Sequence, residues 1–321
     1  MNLRNNIIKL ILVLGTLLTS CNSIIYEDME ACEQGVYVNF YTMTPCDVDS
    51  TYLGKVSSLH LFAFDENDHL VTIESKKEVS LDQDFKVLVP VSDGYYSFIG
   101  WVNLEENLFS ISSFKEGITT KREVLFALKA DQNRAVSLDN KTLWQGESKR
   151  IHLPDPAKYG SVYKDVSINL REVTNRVTVI IDIDESVKKA KPEDFDIRLS
   201  SANGTMRIDG TMPLNTPSLT YSGRTSYTPL RVEKEFVTLD LALGYNNELV
   251  ITNKKTEEIA FRGDLIGSIL LNTITNNINL ACENDFIINL RLKDKCADCG
   301  TYYACEVFVN GWEVHSYEIE F

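Results

Sequence analysis

Histidine is scarce, with four in 321 residues. None of His60, His69, His152 and His315 has a second His, Asp or Cys at ligand spacing on a recognisable strand face, so isolated structural histidines are the plain reading. Positive charge is also short: 32 Lys and Arg stand against 46 Asp and Glu, a net charge of −14. A chain this acidic repels nucleic acid and anionic lipid surfaces. Yet 44% of its residues are hydrophobic and no long charge block occurs, which excludes a disordered acidic tail. Beyond the first 20 residues, no apolar run approaches the roughly 20 residues of a spanning helix. Helical periodicity is nearly missing as well. No nucleophile and base lie in a pattern that would support a hydrolase.

What is present begins at the N-terminus. Arg4 and Lys9 form a basic n-region, followed by a mostly apolar run from Leu10 to Leu18 that is short for a membrane span. Leu18-Thr19-Ser20-Cys21 follows, and it resembles a bacterial lipoprotein signal. The resemblance implies cleavage before Cys21 and acylation of the Cys21 thiol and the new amino terminus. Two or more acyl chains give stable anchoring, at about 0.8 kcal/mol per buried CH2. Residues 1–20 are then a lipoprotein signal peptide and 21–31 a lipidated tether, and losing Arg4 and Lys9 leaves the mature chain still more acidic. Glu27-Asp28 resembles a surface-export signal seen in some Gram-negative lipoproteins. A solvated acidic linker reads the same way.

From Gly35 onward the pattern is period two, the mark of half-buried strands. Val36, Val38 and Phe40 alternate with Tyr37, Asn39 and Tyr41. Leu59, Leu61 and Ala63 alternate with His60, Phe62 and Phe64, a strand apolar on nearly both faces. The turn cluster Asp65 to Asp68 makes a hairpin with Leu70 to Ile73. Pro90 places the strand from Phe85 to Val91 at an edge, or itself at a strand end. Residues 113–130 carry helical spacing at Val124, Leu125 and Leu128. Pro154-Asp155-Pro156 and a polar stretch at 157–165 mark a boundary, giving domains of 32–158 and 159–321. In the second half, Val177, Val179, Ile181 and Ile183 alternate, then Phe195, Ile197 and Leu199. Asn203-Gly204 is a two-residue hairpin signal. Residues 211–231 read as a long surface loop, and 264–275 as a helix capped by Asp264. The apolar parity flips between Val314 and Tyr317, which predicts a bulge near His315-Ser316. Some seven short strands per half predict an all-β chain of tandem β-sandwiches.

Several phrases line up in order. They are Cys32 to Phe40, Lys55 to Asp65, Asp93 to Trp101 and Val309-Asn310-Gly311-Trp312-Glu313-Val314. Together with the N-terminal signal they resemble the FimB-type fimbrial anchor subunits, lipoproteins at the base of type V pili. The resemblance implies two tandem transthyretin-like β-sandwich domains behind a lipoprotein signal peptide. It also implies lipid attachment to the outer membrane, assembly with fimbrillin shaft subunits by strand exchange, and a brake on elongation. The family carries no catalytic residues, cofactor or metal, so none is transferred, and the chain is expected not to be an enzyme. The apolar alternation of Trp312, Val314, Tyr317, Ile319 and Phe321 would suit a donated strand. It would equally suit a final core strand.

Seven cysteines occur, and with Cys21 assigned to lipid six remain. An oxidising compartment favours disulfides. Cys282, Cys296, Cys299 and Cys305 form the candidate set, with Cys305 favoured to pair with Cys296 or Cys299. One Cys-x-x-Cys is half of a strong zinc signal, and the all-β context argues against a redox motif. A bridge from Cys32 to Cys46 requires both flanks to fold back over a strand about 20 Å long at roughly 3.3 Å per residue. Asp182 and Asp184 on one strand face, and the acidic turn at Asp65 to Asp68, read most simply as solvated surface. The rival function, a surface glycan-binding lipoprotein, needs exposed aromatic platforms. The three tryptophans Trp101, Trp144 and Trp312 mostly fall in strand text that reads as buried, and Tyr221 and Tyr227 lie in the expected loop. Cys21→Ala is expected to abolish acyl labelling and release the protein from membranes. Full membrane retention of the variant would mean another anchor.

Overall fold

The computed structural model describes residues 33–188, 190–270, 279–294, 303–310 and 312–318. Their regular secondary structure is almost all β-strand. In the first half, Gly35–Tyr41 sits between Lys86–Pro90, antiparallel, and Tyr163–Asn169, parallel. This three-stranded sheet covers one face of a larger one, ordered 171–172, 144–147, 94–102, 54–64, 70–81. Between them lies a core of Val36, Val38, Phe40, Leu59, Leu61, Phe98 and Ile168. Pro90 ends its strand at the sheet edge, where its missing N–H costs no ladder bond.

The larger sheet is buried on its other face too. Phe62, Phe64, Ile99 and Trp101 belong to a second core, which continues without a break into Val177, Ile181, Phe195, Phe236, Phe286 and Leu290 of the second half. That explains the strand Gly54–Phe64, apolar on both faces, since each parity faces a different core.

In the second half, one six-stranded sheet runs 223–228, 231–239, 174–183, 285–294, 303–309, 312–318. It packs on another, ordered 259–264, 248–253, 195–201, 219–221, 134–135, 130–131. The alternation of Val177, Val179, Ile181 and Ile183 is buried as expected. The last two strands of the second sheet come from the first half of the chain. Thr205–Arg207 in turn pairs with Leu125–Leu128 of the first half.

The halves therefore do not separate at 158–159. Tyr163–Asn169, placed by the expected boundary in the second domain, is paired to Gly35–Tyr41 of the first. The Pro-bounded polar stretch is instead a surface helical turn, Pro156–Tyr159, with the Asp155 carboxylate accepting from Ala157 N at 2.9 Å. Residues 113–130 hold no helix. Val124, Phe126 and Leu128 are buried at alternate positions, and the helical spacing was coincidence with a short strand. The region 211–231 is not one loop, because Leu219–Tyr221 and Gly223–Thr228 are strands. After Asp264 comes a π-helix, Leu265–Leu270, with the Asp264 carboxylate accepting from Ile266 N at 3.1 Å. Residues 271–278 lie outside the described residues.

Asn203-Gly204 makes no type I′ turn. Asn203 is fully buried; its amide donates to the Leu239 and Asp240 carbonyls at 2.9 Å each, and its Oδ1 accepts from Tyr221 O–H at 2.6 Å. Gly204 is required by crowding, since a Cβ there would lie 2.4 Å from the Leu219 side chain. A dipeptide that usually serves a turn serves here as a buried polar knot.

Trp101 ties the halves together directly. It is 1% exposed, and its indole N–H donates to the Ile208 carbonyl at 2.7 Å. Trp101→Phe removes the shorter of two hydrogen bonds to that carbonyl, leaving Gln145 Nε2 at 3.4 Å, and is expected to cost about 0.5–1.5 kcal/mol. Because the core is shared, calorimetry should record one cooperative transition, lowered in the variant. Two separate transitions, with only the earlier one shifted, would contradict the shared core.

Candidate functional site

The sequence singles out two places, the N-terminal lipid and the C-terminal strand. Cys21 lies outside the described residues, as do Ile319, Phe321, Cys296 and Cys299. The backbone of Trp312–Glu318, carrying Trp312, Val314 and Tyr317, forms an edge strand antiparallel to Tyr303–Val309. The register runs from Val309 opposite Trp312 to Ala304 opposite Glu318, with a shift between Val307 and Phe308. His315 pairs with Val307 and Glu313 with Phe308, leaving Val314 as the extra residue. The expected bulge is thus present, centred one residue before His315. Among the described residues nothing pairs with the outer edge of this strand, which leaves a row of backbone donors and acceptors available.

The cysteine set is rearranged. Cys282 is bonded to Cys46 across a sequence separation of 236, with Cα atoms 5.9 Å apart. The expected grouping of Cys282 with the C-terminal cysteines does not hold, and neither does a Cys32–Cys46 bridge. Cys305 stands in the Tyr303–Val309 strand with its backbone opposite Leu292. The sequence carried no signal for this pairing, because only the fold brings the turn after Gly35–Tyr41 beside the turn before Asp285–Asp294.

Around the bridge the two halves meet in a polar seam. Leu170 N donates to the Tyr41 carbonyl at 2.7 Å, and the Asn169 side-chain amide exchanges hydrogen bonds with the Met43 backbone at 2.8 and 2.9 Å. Asn284 Nδ2 donates to the Thr174 carbonyl at 2.8 Å. Arg176 links Glu172 with Asp285, donating from Nη2 to the Asp285 carboxylate at 2.8 Å. Hydrogen bonding from this guanidinium holds Asp285 below the ordinary carboxylate range, against partial desolvation, and Asp285 in turn raises Arg176 further. Asp240 faces Arg171 at 3.7 Å, and burial pushes its carboxyl up despite that charge.

The remaining polar candidates are absorbed by structure. Asp182 pairs with Arg231 at 2.7 Å and Asp184 with Arg291 at 2.8 Å. In the acidic turn, Asp68 is held by Lys121 at 3.2 Å and Arg150 at 3.0 Å, and the Asp65 carboxylate accepts from the Asn67 and His69 backbones. Burial lowers the pKa of His60, whose Nδ1 lies 2.9 Å from Ser75 Oγ. Tyr221 is buried in the Asn203 knot, while Tyr227 is exposed on an edge strand. Trp101, inside the core, offers no glycan platform.

The described residues thus form packed β-sheets with an unpaired edge at Trp312–Glu318, and the acidic and aromatic candidates named above serve that packing. Residues 29–318 match the model of the fimbrillin-A associated anchor proteins Mfa1 and Mfa2, and the chain belongs to that family. The minor fimbrium anchoring subunit Mfa2 of Porphyromonas gingivalis is 38% identical over 325 residues, covering 100% of this chain and 98% of the relative. The solved fimbrial anchor protein Mfa2 from the same organism superposes with a TM-score of 0.80 at 37% identity, covering 89% of this chain and 100% of that one. A Bacteroides thetaiotaomicron structure, provisionally described as a polysaccharide-binding protein, shares the fold, with a TM-score of 0.72 at 20% identity over 90% of this chain and 99% of that one. The family is one of structural anchor subunits and not of enzymes.

The seam predicts a pH dependence. Since the folded Asp285 carboxyl titrates below its unfolded value, its stabilisation is complete above that value, near 4, and is lost as pH falls through the lower folded one. Thermal melts from about pH 6 downward should show the steepest loss below about pH 4. Arg176→Gln should flatten that loss. An unchanged slope would remove the seam as its source.

Proposed function

We propose that this chain is an outer-membrane lipoprotein, acylated at Cys21, that holds the base of a fimbrium and limits its elongation. The observation that carries the reading is the whole-length similarity to a fimbrium anchoring subunit, signal region included. The tetrad Leu18-Thr19-Ser20-Cys21 supports the lipid, and the six other cysteines support a route outside the cytoplasm. Surface exposure and contact with shaft subunits follow from the same reading.

The joint to the shaft is strand addition at a sheet edge. Backbone pairing gives affinity to any strand, and side chains at alternate positions select the partner. Trp312–Glu318 bonds on one side to its own neighbour, which favours its outer edge as the acceptor for a shaft strand. Donation of this segment to a shaft subunit would first have to break the pairing with Tyr303–Val309.

Deleting the gene and imaging the surface decides the main claim: fibres should be shed or overlong. Normal, retained fibres in the deletion strain would sink it. Removing Tyr317–Phe321 tests the joint. A folded, lipidated protein that no longer retains fibres supports a junction at this edge. A folded truncation that retains fibres normally moves the junction to another edge.

A further inference from the structure

Two pairs of parallel strands meet at the seam. In the first half Gly35–Tyr41 runs parallel to Tyr163–Asn169, and in the second Thr174–Ile183 runs parallel to Asp285–Asp294. One member of each pair is joined to the other half by the short peptide from Leu170 to Val173. The remaining two members, far apart in sequence, are joined by Cys46–Cys282. The disulfide thus repeats in sulfur the connection that the backbone makes beside it.

We propose that Cys46–Cys282 is a load-bearing strut, which passes tension from the N-terminal strand straight into the C-terminal sheet. Its biological use rests on the anchoring reading above, while the mechanical claim concerns the folded chain alone. Tension arriving from the N-terminal side enters Gly35–Tyr41. That strand is already extended at about 3.3 Å per residue, against a limit of about 3.6 Å, so pulling on its ends yields almost nothing. A four-residue turn then leads to Cys46, and that turn has little slack. Thr42 and Thr51 exchange backbone hydrogen bonds at 2.8 Å, and Met43 is clamped by Asn169. Beyond the sulfurs, only Glu283 and Asn284 separate Cys282 from Asp285–Asp294. Asn284 is fixed by its side chain to the Thr174 carbonyl at 2.8 Å, and its own carbonyl accepts from Arg176 N at 2.7 Å. Two extended strands therefore stand in series through one covalent bond.

The consequence is topological. Everything between the two cysteines, a separation of 236 residues, lies in a closed ring off the load path. Without the bond, force on the N-terminus would peel the first sheet strand by strand and run on through the shared core. With it, a load between the N-terminus and the C-terminal strands cannot lengthen the ring while the sulfur–sulfur bond is intact. A cross-link that merely trimmed the entropy of the unfolded chain would serve from any position enclosing a long loop. This one also aligns the entering strand with the strand next but one to the C-terminal edge.

The test is single-molecule pulling on the mature chain, with handles before Glu33 and after Phe321. Oxidised protein should release on the order of 20 nm of contour length, the share outside the ring at about 3.6 Å per residue. Cys46→Ser/Cys282→Ser leaves the other cysteines in place and should release on the order of 100 nm. If that variant does not fold, reducing the oxidised protein while it is already folded and tethered gives the same comparison. Release of the full length by the oxidised protein overturns the strut, and so does a short release that survives loss of the bond. A short oxidised release combined with normal fibres in the deletion strain would leave the strut standing and remove the anchoring reading.

Discussion

A single apolar core running beneath both halves of the chain is the constraint on which the rest depends. The sheet that holds Gly54–Phe64 and Gly94–Val102 is covered on one face by the Gly35–Tyr41 sheet and on the other by the second half. A sheet buried on both faces cannot be left by either neighbour without exposing phenylalanines and a tryptophan to water. That is why strands trade places across the expected boundary. Residues 130–135 complete a sheet of the second half, and residues 205–207 complete one of the first.

The shared core also decides where polar groups go. Asn203, buried by it, spends all of its polar atoms on backbone carbonyls and Tyr221. The charged seam of Glu172, Arg176 and Asp285 lies at the margin of that core, where partial exposure to water makes a close ion-pair triad tolerable. An anchor is asked to resist separation more than to move. Interleaved strands, a shared core and a covalent bridge all suit that demand. Among the described residues, Trp312–Glu318 leaves one sheet edge unpaired, and an unpaired edge can recognise another chain through backbone atoms.

Much of this was legible in the residues. Period-two alternation located Gly35–Tyr41, Gly54–Phe64, Thr174–Ile183 and Phe195–Ser201, because a strand with a buried face must repeat every second residue. Pro90 announced a strand end, Asp264 a helical start, and the parity flip after Val314 a bulge. The errors share one cause. Val124, Leu125 and Leu128 looked helical, Asn203-Gly204 looked like a turn, and 211–231 looked like loop, because each takes its structure from a partner distant in sequence. Their local spacing had no access to the Ile208, Tyr221 or Arg231–Leu239 neighbours that settle them.

By itself, the sequence determined what is local or covalent in character: an all-β chain, the faces of its strong strands, the acidic charge, the signal-like N-terminus and the family resemblance that those phrases carried. Only the tertiary structure decided what depends on closure over long separations. It set the pairing of Tyr163–Asn169 with Gly35–Tyr41, the second core that makes Gly54–Phe64 apolar on both faces, and the edge position of Trp312–Glu318. It also decided the partner of Cys282. A disulfide requires two α-carbons within about 7 Å, and a separation of 236 residues carries no hint of that proximity until two pairs of parallel strands bring the turns that follow and precede them into contact.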